Sequence, residues 1–121
     1  MEEKSKFYDL EDRTLCFAKE VRKFVKQLYR SLANTEDAKQ LIRSSGSIGA
    51  NYREANEALG KRDFFMRIKI SRKEAKETVY WLELIDTGCD VSLEKQRKTL
   101  ISESTELMKI FGSILQKSGS V

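Results

Sequence analysis

Residues 41–59 read LIRSSGSIGANYREANEAL, and this stretch decides the fold. Its recurring positions alternate steps of four and three and therefore share one face of an α-helix; they are Leu41, Ser45, Ile48, Tyr52, Ala55 and Leu59. The tract SSGSIGA at 44–50 argues for a flexible loop on propensity alone, because each glycine costs a helix interior about 1 kcal/mol relative to alanine. The alternating pattern nevertheless passes through the tract without a break, and small residues let another backbone approach closely. We therefore predict a helix with one tightly packed face.

The same spacing recurs on both sides of this stretch. It predicts helices at about 9–32, 36–59, 62–86 and 92–116, joined by short turns. Short connections make successive helices antiparallel, and the absence of proline favours long uninterrupted helices. The sequence thus predicts a single all-α domain over residues 1–121, an antiparallel up-down-up-down four-helix bundle.

The turns carry local signals for where each helix begins and ends. Asn34 or Thr35 is predicted to cap the second helix, and Ser92 the fourth. Gly60 is predicted to end the second helix in the left-handed conformation that glycine adopts at no steric cost. The tail at 117–121 is predicted to fray.

The composition argues against catalysis. The chain has no histidine, which removes the commonest general base and zinc ligand. None of its six glycines forms a phosphate-binding run such as G-x-x-x-x-G-K. Cys16, beside Phe17, is predicted to be an inert buried thiol, and Cys89 to lie in a turn. We expect no catalytic site and no cofactor.

The sequence also bears on location. No run approaches the ~20 apolar residues that cross a bilayer. Residues 1–6, MEEKSK, lack the apolar region of a signal peptide. The two cysteines have no C-x-x-C spacing, and reduced thiols are expected. These features predict a cytoplasmic protein without a membrane partner.

The third and fourth helices carry more apolar residues than one core-facing line needs. The additional positions are Ile70, Trp81, Leu84, Ile101, Met108 and Leu115. They predict an interface with further copies of the chain. The alternative is a wide core stripe that absorbs them, since such stripes can exceed 100°.

Basic residues gather on two helices of this chain, whose net charge is +4. The first helix offers Lys19, Arg22, Lys23, Lys26 and Arg30, and the third offers Arg62, Arg67, Lys69, Arg72, Lys73 and Lys76. Acidic residues collect at the far end of the third helix, so positive potential is predicted to concentrate at one end of the bundle. Such cations bind phosphates without sequence preference and in a salt-sensitive way. The alternative is a solvated charged face. Base stacking is not predicted, because Tyr29 is the sole aromatic residue expected among the exposed cations.

Polar residues also recur inside the pattern of the second and third helices. They are Arg43, Ser47, Asn51, Glu54, Glu74 and Glu77. Three glutamates could ligate a metal, since E-x-x-H bundles bind paired iron, but the histidine partner is missing. A hydrogen-bond and ion-pair network that fixes helix register is therefore the favoured interpretation.

Several blocks resemble a known family. The runs SIGANYREA at 47–55 and KEAKETVYWL at 73–82 are specific together, and FYDL at 7–10, RTLCFA at 13–18 and KRDF at 61–64 support them. They resemble the four-helix-bundle family named for proteins encoded in intervening sequences of bacterial 23S ribosomal RNA genes.

The resemblance implies a homopentameric four-helix bundle without an established activity in most members. It also implies kinship with the accessory variability proteins of diversity-generating retroelements, which bind nucleic acid and a reverse transcriptase. In the family pattern, Asn51, Glu54 and Glu77 match the most characteristic polar positions.

Residues and resemblance together predict a non-enzymatic oligomer that binds RNA or DNA electrostatically as an accessory factor. The alternative is an oligomeric protein–protein interaction scaffold with no nucleic-acid role.

Overall fold

Four amphipathic segments of the chain fold as helices in the computed structural model, which describes residues 9–117. In that range the chain forms α1 (Leu10–Lys26), α2 (Leu32–Asn56), α3 (Lys61–Leu84) and α4 (Val91–Gln116), with no strand. The first residues of the resemblance, at 7–8, and the tail that was expected to fray lie outside the described residues, apart from residue 117.

The helices pack as a square. Each contacts its neighbour in sequence, and α4 returns to contact α1; in the described chain the diagonal pairs α1–α3 and α2–α4 do not pack together. The short connections make successive helices antiparallel, which confirms the predicted up-down-up-down four-helix bundle. The helices α1 and α3 consequently run parallel at opposite corners, so their outward faces point away from each other.

The core lies along the axis of this square and is supplied by all four helices. Its largest fully buried side chains include Phe24 on α1, Ile48 on α2, Leu82 on α3 and Phe111 on α4. Each such side chain contributes about 1.5–3 kcal/mol when it leaves water. The apolar residues that recur at steps of three and four in the sequence are therefore the ones that face the core.

The glycine–serine tract at 44–50 is helical throughout, as predicted. Two of its three serine hydroxyls bond within the bundle: the Ser44 hydroxyl lies 2.8 Å from the Thr78 hydroxyl, and the Ser45 hydroxyl donates to the Ile42 carbonyl at 3.2 Å. From α3, the Ser71 hydroxyl donates to the Ile48 carbonyl of the tract at 2.9 Å. Small side chains that bond to a facing backbone let α2 and α3 pack closely without a buried unpaired polar group.

The first two helices differ from the predicted bounds. The helix α1 ends at Lys26, well before the predicted residue 32. Ser31 caps α2: its hydroxyl oxygen accepts from the backbone N–H of Asn34 at 3.0 Å. The predicted caps at Asn34 and Thr35 are therefore wrong. Because α2 starts at Leu32, that leucine is 81% exposed in the first turn instead of lying on the core face of α1.

The next two turns also differ from the prediction. The helix α2 ends at Asn56, and Leu59 is fully exposed in the connection. Gly60 is extended, with φ −154°, and precedes α3 as its N-cap, so the predicted left-handed helix end is wrong. Asp90 caps α4 by accepting from a backbone amide at 3.0 Å, in place of the predicted Ser92.

The connections at one end of the bundle are tied together by polar groups. The Tyr29 hydroxyl donates to the Asp86 carboxylate, which also accepts from the Gly88 amide at 2.9 Å. These bonds hold the pKa of Asp86 below its usual value, and the bond to Asp86 raises the pKa of the Tyr29 phenol. Bonds from Arg97 and Thr87 likewise lower the pKa of Glu94 at the start of α4. The ionised carboxylates are thus the forms that hold this end in place.

Two surface features complete the fold. Cys16 is exposed on α1, which corrects the prediction of a buried thiol, and Cys89 is exposed with φ 64° in the α3–α4 turn. Among the described helices, none has the length and apolar character needed to span a bilayer.

Candidate nucleic-acid interface

Part of the predicted polar network lies between α2 and α3. The Arg43 guanidinium contacts the Glu77 carboxylate at 2.6 Å and the Glu74 carboxylate at 3.4 Å. The Trp81 indole N–H donates to the same Glu77 carboxylate at 3.0 Å. One arginine therefore compensates two glutamates of α3 and ties them to α2.

A second group lies nearer the start of α3. The Arg67 guanidinium donates to the Asn51 side-chain oxygen at 3.0 Å, and the Asn51 amide donates to the Ser47 carbonyl at 3.0 Å. The Glu54 side chain is exposed and makes no hydrogen bond or ion pair to the residues the structure describes. The predicted network is thus two separate groups, and Glu54 belongs to neither.

This arrangement gives no support to the metal-site interpretation. Glu74 and Glu77 are turned toward Arg43, while Glu54 stands apart on α2. Over residues 9–117, no three histidine, cysteine, aspartate or glutamate side chains gather closely enough to hold a metal ion.

The outward face of α3 carries a group of exposed cations. We call this group the α3 basic face, and its members are Arg62, Lys69, Arg72, Lys73 and Lys76. All five are exposed, and none forms an ion pair within the described part of the chain. Arg67, predicted to join them, is half-buried and bonded to Asn51. Steps of three, four and seven keep four of the five cations on one line along the helix.

The predicted basic residues of the first helix form a separate α1 basic group. Its members are Lys19, Arg22, Lys23, Lys26 and Arg30, all exposed. Lys23 lies 3.3 Å from the Glu20 carboxylate, and Arg22 donates to the Ala18 carbonyl of its own helix at 3.2 Å. Because α1 and α3 occupy opposite corners, the bundle does not join this group to the α3 basic face.

The two groups also lie toward opposite ends of the bundle. Near the start of α1, Glu11 accepts from Asn56, which lies close to the start of α3. Beyond the end of α1, Tyr29 bonds to Asp86 beyond the end of α3. Arg30 therefore lies at the acidic end, while the α3 basic face extends from the other end. The expectation that all the positive potential gathers at one end is wrong.

Most of the predicted interface residues contribute to the core. Trp81, Ile101 and Met108 are half-buried against it. Leu115 is 1% exposed and belongs to the core itself, so it is not available to an interface. The wide core stripe therefore accounts for Leu115, while an interface role of the partly accessible Trp81, Ile101 and Met108 stays a prediction.

An apolar strip nevertheless remains on the outside of α3. It consists of Met66 and Ile70, one turn apart, and of Leu84 about 21 Å further along the helix, with Lys73 and Glu77 on the line between. Met66 is 54% and Leu84 45% exposed, and Ile70 is half-buried. The strip borders the α3 basic face. Such neighbouring apolar and cationic surfaces are a common arrangement at binding sites.

Tyr80 is a residue of this face that the sequence reasoning missed. It is 55% exposed and follows Lys76 by four residues and Lys73 by seven, so it continues the basic face along α3. Its ring meets the Trp81 ring edge to face, with centroids 5.1 Å apart and planes at 74°. The signal was available in the spacing from the lysines.

These observations define a small all-α protein, a four-helix bundle with a face of uncompensated cations. More narrowly, the chain belongs to the 23S rRNA-intervening sequence protein family, whose model matches residues 9–113. This confirms the family resemblance read from the motifs. Kinship with retroelement accessory proteins remains a prediction.

A solved structure supports the assignment. The chain is 37% identical to a protein of unknown function from the S23 ribosomal protein family of Bacteroides thetaiotaomicron VPI-5482, whose crystal structure was determined at 1.70 Å resolution. The match covers 87% of this chain and 96% of that chain, with a TM-score of 0.72. No curated protein shows significant similarity to this chain.

Proposed function

We propose that this protein is a non-enzymatic, self-associating accessory factor that binds nucleic acid electrostatically through the α3 basic face. The observation that carries the proposal is the lack of any ion pair at all five cations of that face. Four arginines elsewhere form ion pairs, among them Arg13 with Glu103 at 2.7 Å and Arg97 with Glu94 at 2.9 Å, whereas Arg22 and Arg30 of the α1 basic group form none with the described residues. Cations left together without carboxylates create a positive potential that attracts a polyanion.

The dimensions of the face suit a phosphate backbone. From Arg62 to Lys76 the helix rises about 21 Å, at 1.5 Å per residue. Duplex DNA presents one charge per ~1.7 Å of axis, so this length can meet several phosphates at once. Binding of this kind is independent of sequence and weakens as salt displaces the protein from the backbone.

Charge reversal at Lys69, Lys73 and Lys76 tests this site. The triple change to glutamate is expected to weaken nucleic-acid binding at least tenfold. It should also make the plot of log affinity against log salt shallower: the magnitude of its negative slope should fall by about 2–3, close to one for each lost phosphate contact. The measurement is a titration of labelled duplex at two salt concentrations, with circular dichroism to check the fold.

The chain offers two matched controls for that experiment. Reversal of Lys95, Lys98 and Lys109 on α4, all exposed, changes the net charge equally and is expected to have a much smaller effect. Reversal of Lys19, Lys23 and Lys26 tests the opposite corner. A larger loss there than on α3 would move the site to α1. Affinity indifferent to salt and to all three changes would leave the interaction scaffold as the function.

The self-association in this proposal rests on the apolar strip, which borders the basic face and lies open to a second copy of the chain. We expect light scattering to give a mass above the 14.0 kDa of one chain. The pentamer implied by the resemblance would weigh five times as much, about 70 kDa. A charge introduced by Ile70→Glu should lower the measured mass, because burying an unpaired carboxylate is costly.

Leu59→Glu is the control for that change, since Leu59 is fully exposed in the α2–α3 connection. It should leave the mass unchanged. A wild-type protein of one-chain mass at micromolar concentration would contradict self-association, and with it the role given to the strip.

A cytoplasmic location belongs to the same proposal. Both cysteines are free and exposed. Thiols stay reduced in this way in the cytoplasm. A reverse transcriptase partner follows from the resemblance alone and remains a prediction.

A further inference from the structure

Tyr80 lies where the α3 basic face ends. Helix geometry places it about 6 Å along the axis from Lys76 and about 10 Å from Lys73, on the same side of α3. It is 55% exposed, and its hydroxyl makes no hydrogen bond to the described residues. A largely accessible aromatic ring thus continues a line of unpaired cations.

The ring has a firm support. The neighbouring Trp81 ring packs edge to face against it, with centroids 5.1 Å apart. Trp81 is itself half-buried against the core, and its indole N–H is held by the Glu77 carboxylate at 3.0 Å. A ring held in this way loses little conformational entropy when a flat partner stacks on it.

The carboxylates near this path are compensated. Glu74 and Glu77 both face the Arg43 guanidinium, the latter at 2.6 Å. Glu83, exposed and one turn beyond Tyr80, marks the acidic end of α3. A phosphate backbone that runs from Lys69 to Lys76 therefore reaches the ring before it meets Glu83, while the exposed Asp63 lies beyond the other end of this path, beside Arg62.

We propose that Tyr80 and the α3 basic face together form a binding site for single-stranded nucleic acid, in which an unpaired base stacks on the Tyr80 ring. This inference rests on the proposed function and adds the class of ligand. In a duplex both faces of each internal base are covered by stacking, so an outward ring has no base to receive. In a single strand the base faces are free, and stacking on aromatic residues is tolerant of sequence.

The test compares one single-stranded DNA oligonucleotide with the duplex made from it, at one salt concentration. Tyr80→Ala is expected to weaken single-strand binding by roughly 5- to 150-fold, the range for loss of one stacked base, and to change duplex binding less than about twofold. Tyr80→Phe should keep single-strand affinity, because the ring remains. Leu32→Ala, which removes an exposed side chain without a ring in the first turn of α2, is the control.

The outcomes separate this inference from the proposed function. If wild-type protein binds neither probe, both fail. If both probes bind and the lysine charge reversal weakens both, yet Tyr80→Ala changes neither or weakens both equally, only the stacking role is overturned. Light scattering on Tyr80→Ala gives the last check, since a drop in mass would make the ring part of a subunit interface and overturn the proposal.

Discussion

Gly49→Ala is expected to lower the free energy of unfolding by about 1–3 kcal/mol, although alanine is the better helix former. A methyl group at residue 49 would lie 2.7 Å from the Thr14 hydroxyl oxygen and 3.1 Å from the Thr14 Cβ. Thr14 is 1% exposed, and its hydroxyl donates to the Leu10 carbonyl at 2.8 Å, so it cannot easily turn away. The clash therefore forces α1 and α2 apart.

Gly46 supplies the matched control in the same tract. Its added methyl would meet only the end of the Arg22 side chain, at 3.8 Å. Gly46→Ala should therefore raise the free energy of unfolding by about 0.5–1 kcal/mol. Guanidinium unfolding at one protein concentration gives both values, since the proposed self-association would make stability depend on concentration.

The double variant Gly49→Ala/Thr14→Ala tests the proposed clash directly. Thr14→Ala removes the hydroxyl and with it the 2.7 Å contact, and leaves the 3.1 Å contact with the Thr14 Cβ. The double variant should therefore lose less free energy of unfolding than the sum of the losses in the two single variants. Strict additivity of the two single changes would show that Gly49 matters for another reason.

The same tract shows how much of the fold the sequence can specify. The three-and-four spacing through 44–50 predicts a helix against local propensity, and the structure agrees. Hydrophobic periodicity repeats over many residues, and burial of a whole face outweighs a few glycines. Helix ends do not repeat in this way. Ser31, Asn34 and Thr35 are all acceptable caps, and the choice among them depends on contacts with the α3–α4 connection.

The sequence predicted which basic residues are candidates for the site, but not which of them lie together or form hydrogen bonds in the folded bundle. Lysines on the outer face of α3 follow from spacing alone. Arg67 does not belong to the α3 basic face because it bonds to Asn51 of α2. The two residues come within hydrogen-bond distance only in the folded bundle. The separation of the α1 basic group follows likewise from the diagonal placement of α1 and α3. Tertiary contacts decide which cations are compensated.

Leu115 illustrates the same limit for an apolar residue. It stands beside the main core line of α4, so periodicity alone does not show that it is covered, whereas Tyr80 lies opposite the core line of α3, in step with Lys73 and Lys76. Leu115 is buried at 1% exposure, whereas Tyr80 is exposed on the corner that α3 turns to solvent. Only the packing of neighbouring helices shows that Leu115 is covered, while helical spacing alone puts Tyr80 on the outer face.

Asn34→Ala is expected to lower the free energy of unfolding by about 2–4 kcal/mol. Asn34 is 3% exposed in the first turn of α2. Its amide donates to the Asp86 carbonyl at 2.9 Å and to the Tyr29 carbonyl at 3.2 Å, while its oxygen accepts from the Asp86 amide at 3.0 Å. Alanine leaves three backbone groups, those of Tyr29 and Asp86, without their partner. A fully buried unpaired group costs about 1–3 kcal/mol, and because these bonds are only part-buried the total stays well below three times that figure.

Asn56→Ala is the control, because Asn56 is an exposed asparagine of the same helix with one bond, at 2.9 Å, to Glu11. Its effect should stay within about 0.5 kcal/mol. Equal effects of the two changes in guanidinium unfolding would contradict the role given to Asn34. Asn34→Asp sharpens the test, since a carboxylate keeps the acceptor for the Asp86 amide but cannot donate to either carbonyl. The new aspartate also adds a charge beside the Asp86 carboxylate, so it should destabilise the fold at least as much as alanine does. The loss of stability should shrink at a pH low enough to protonate the new carboxylate.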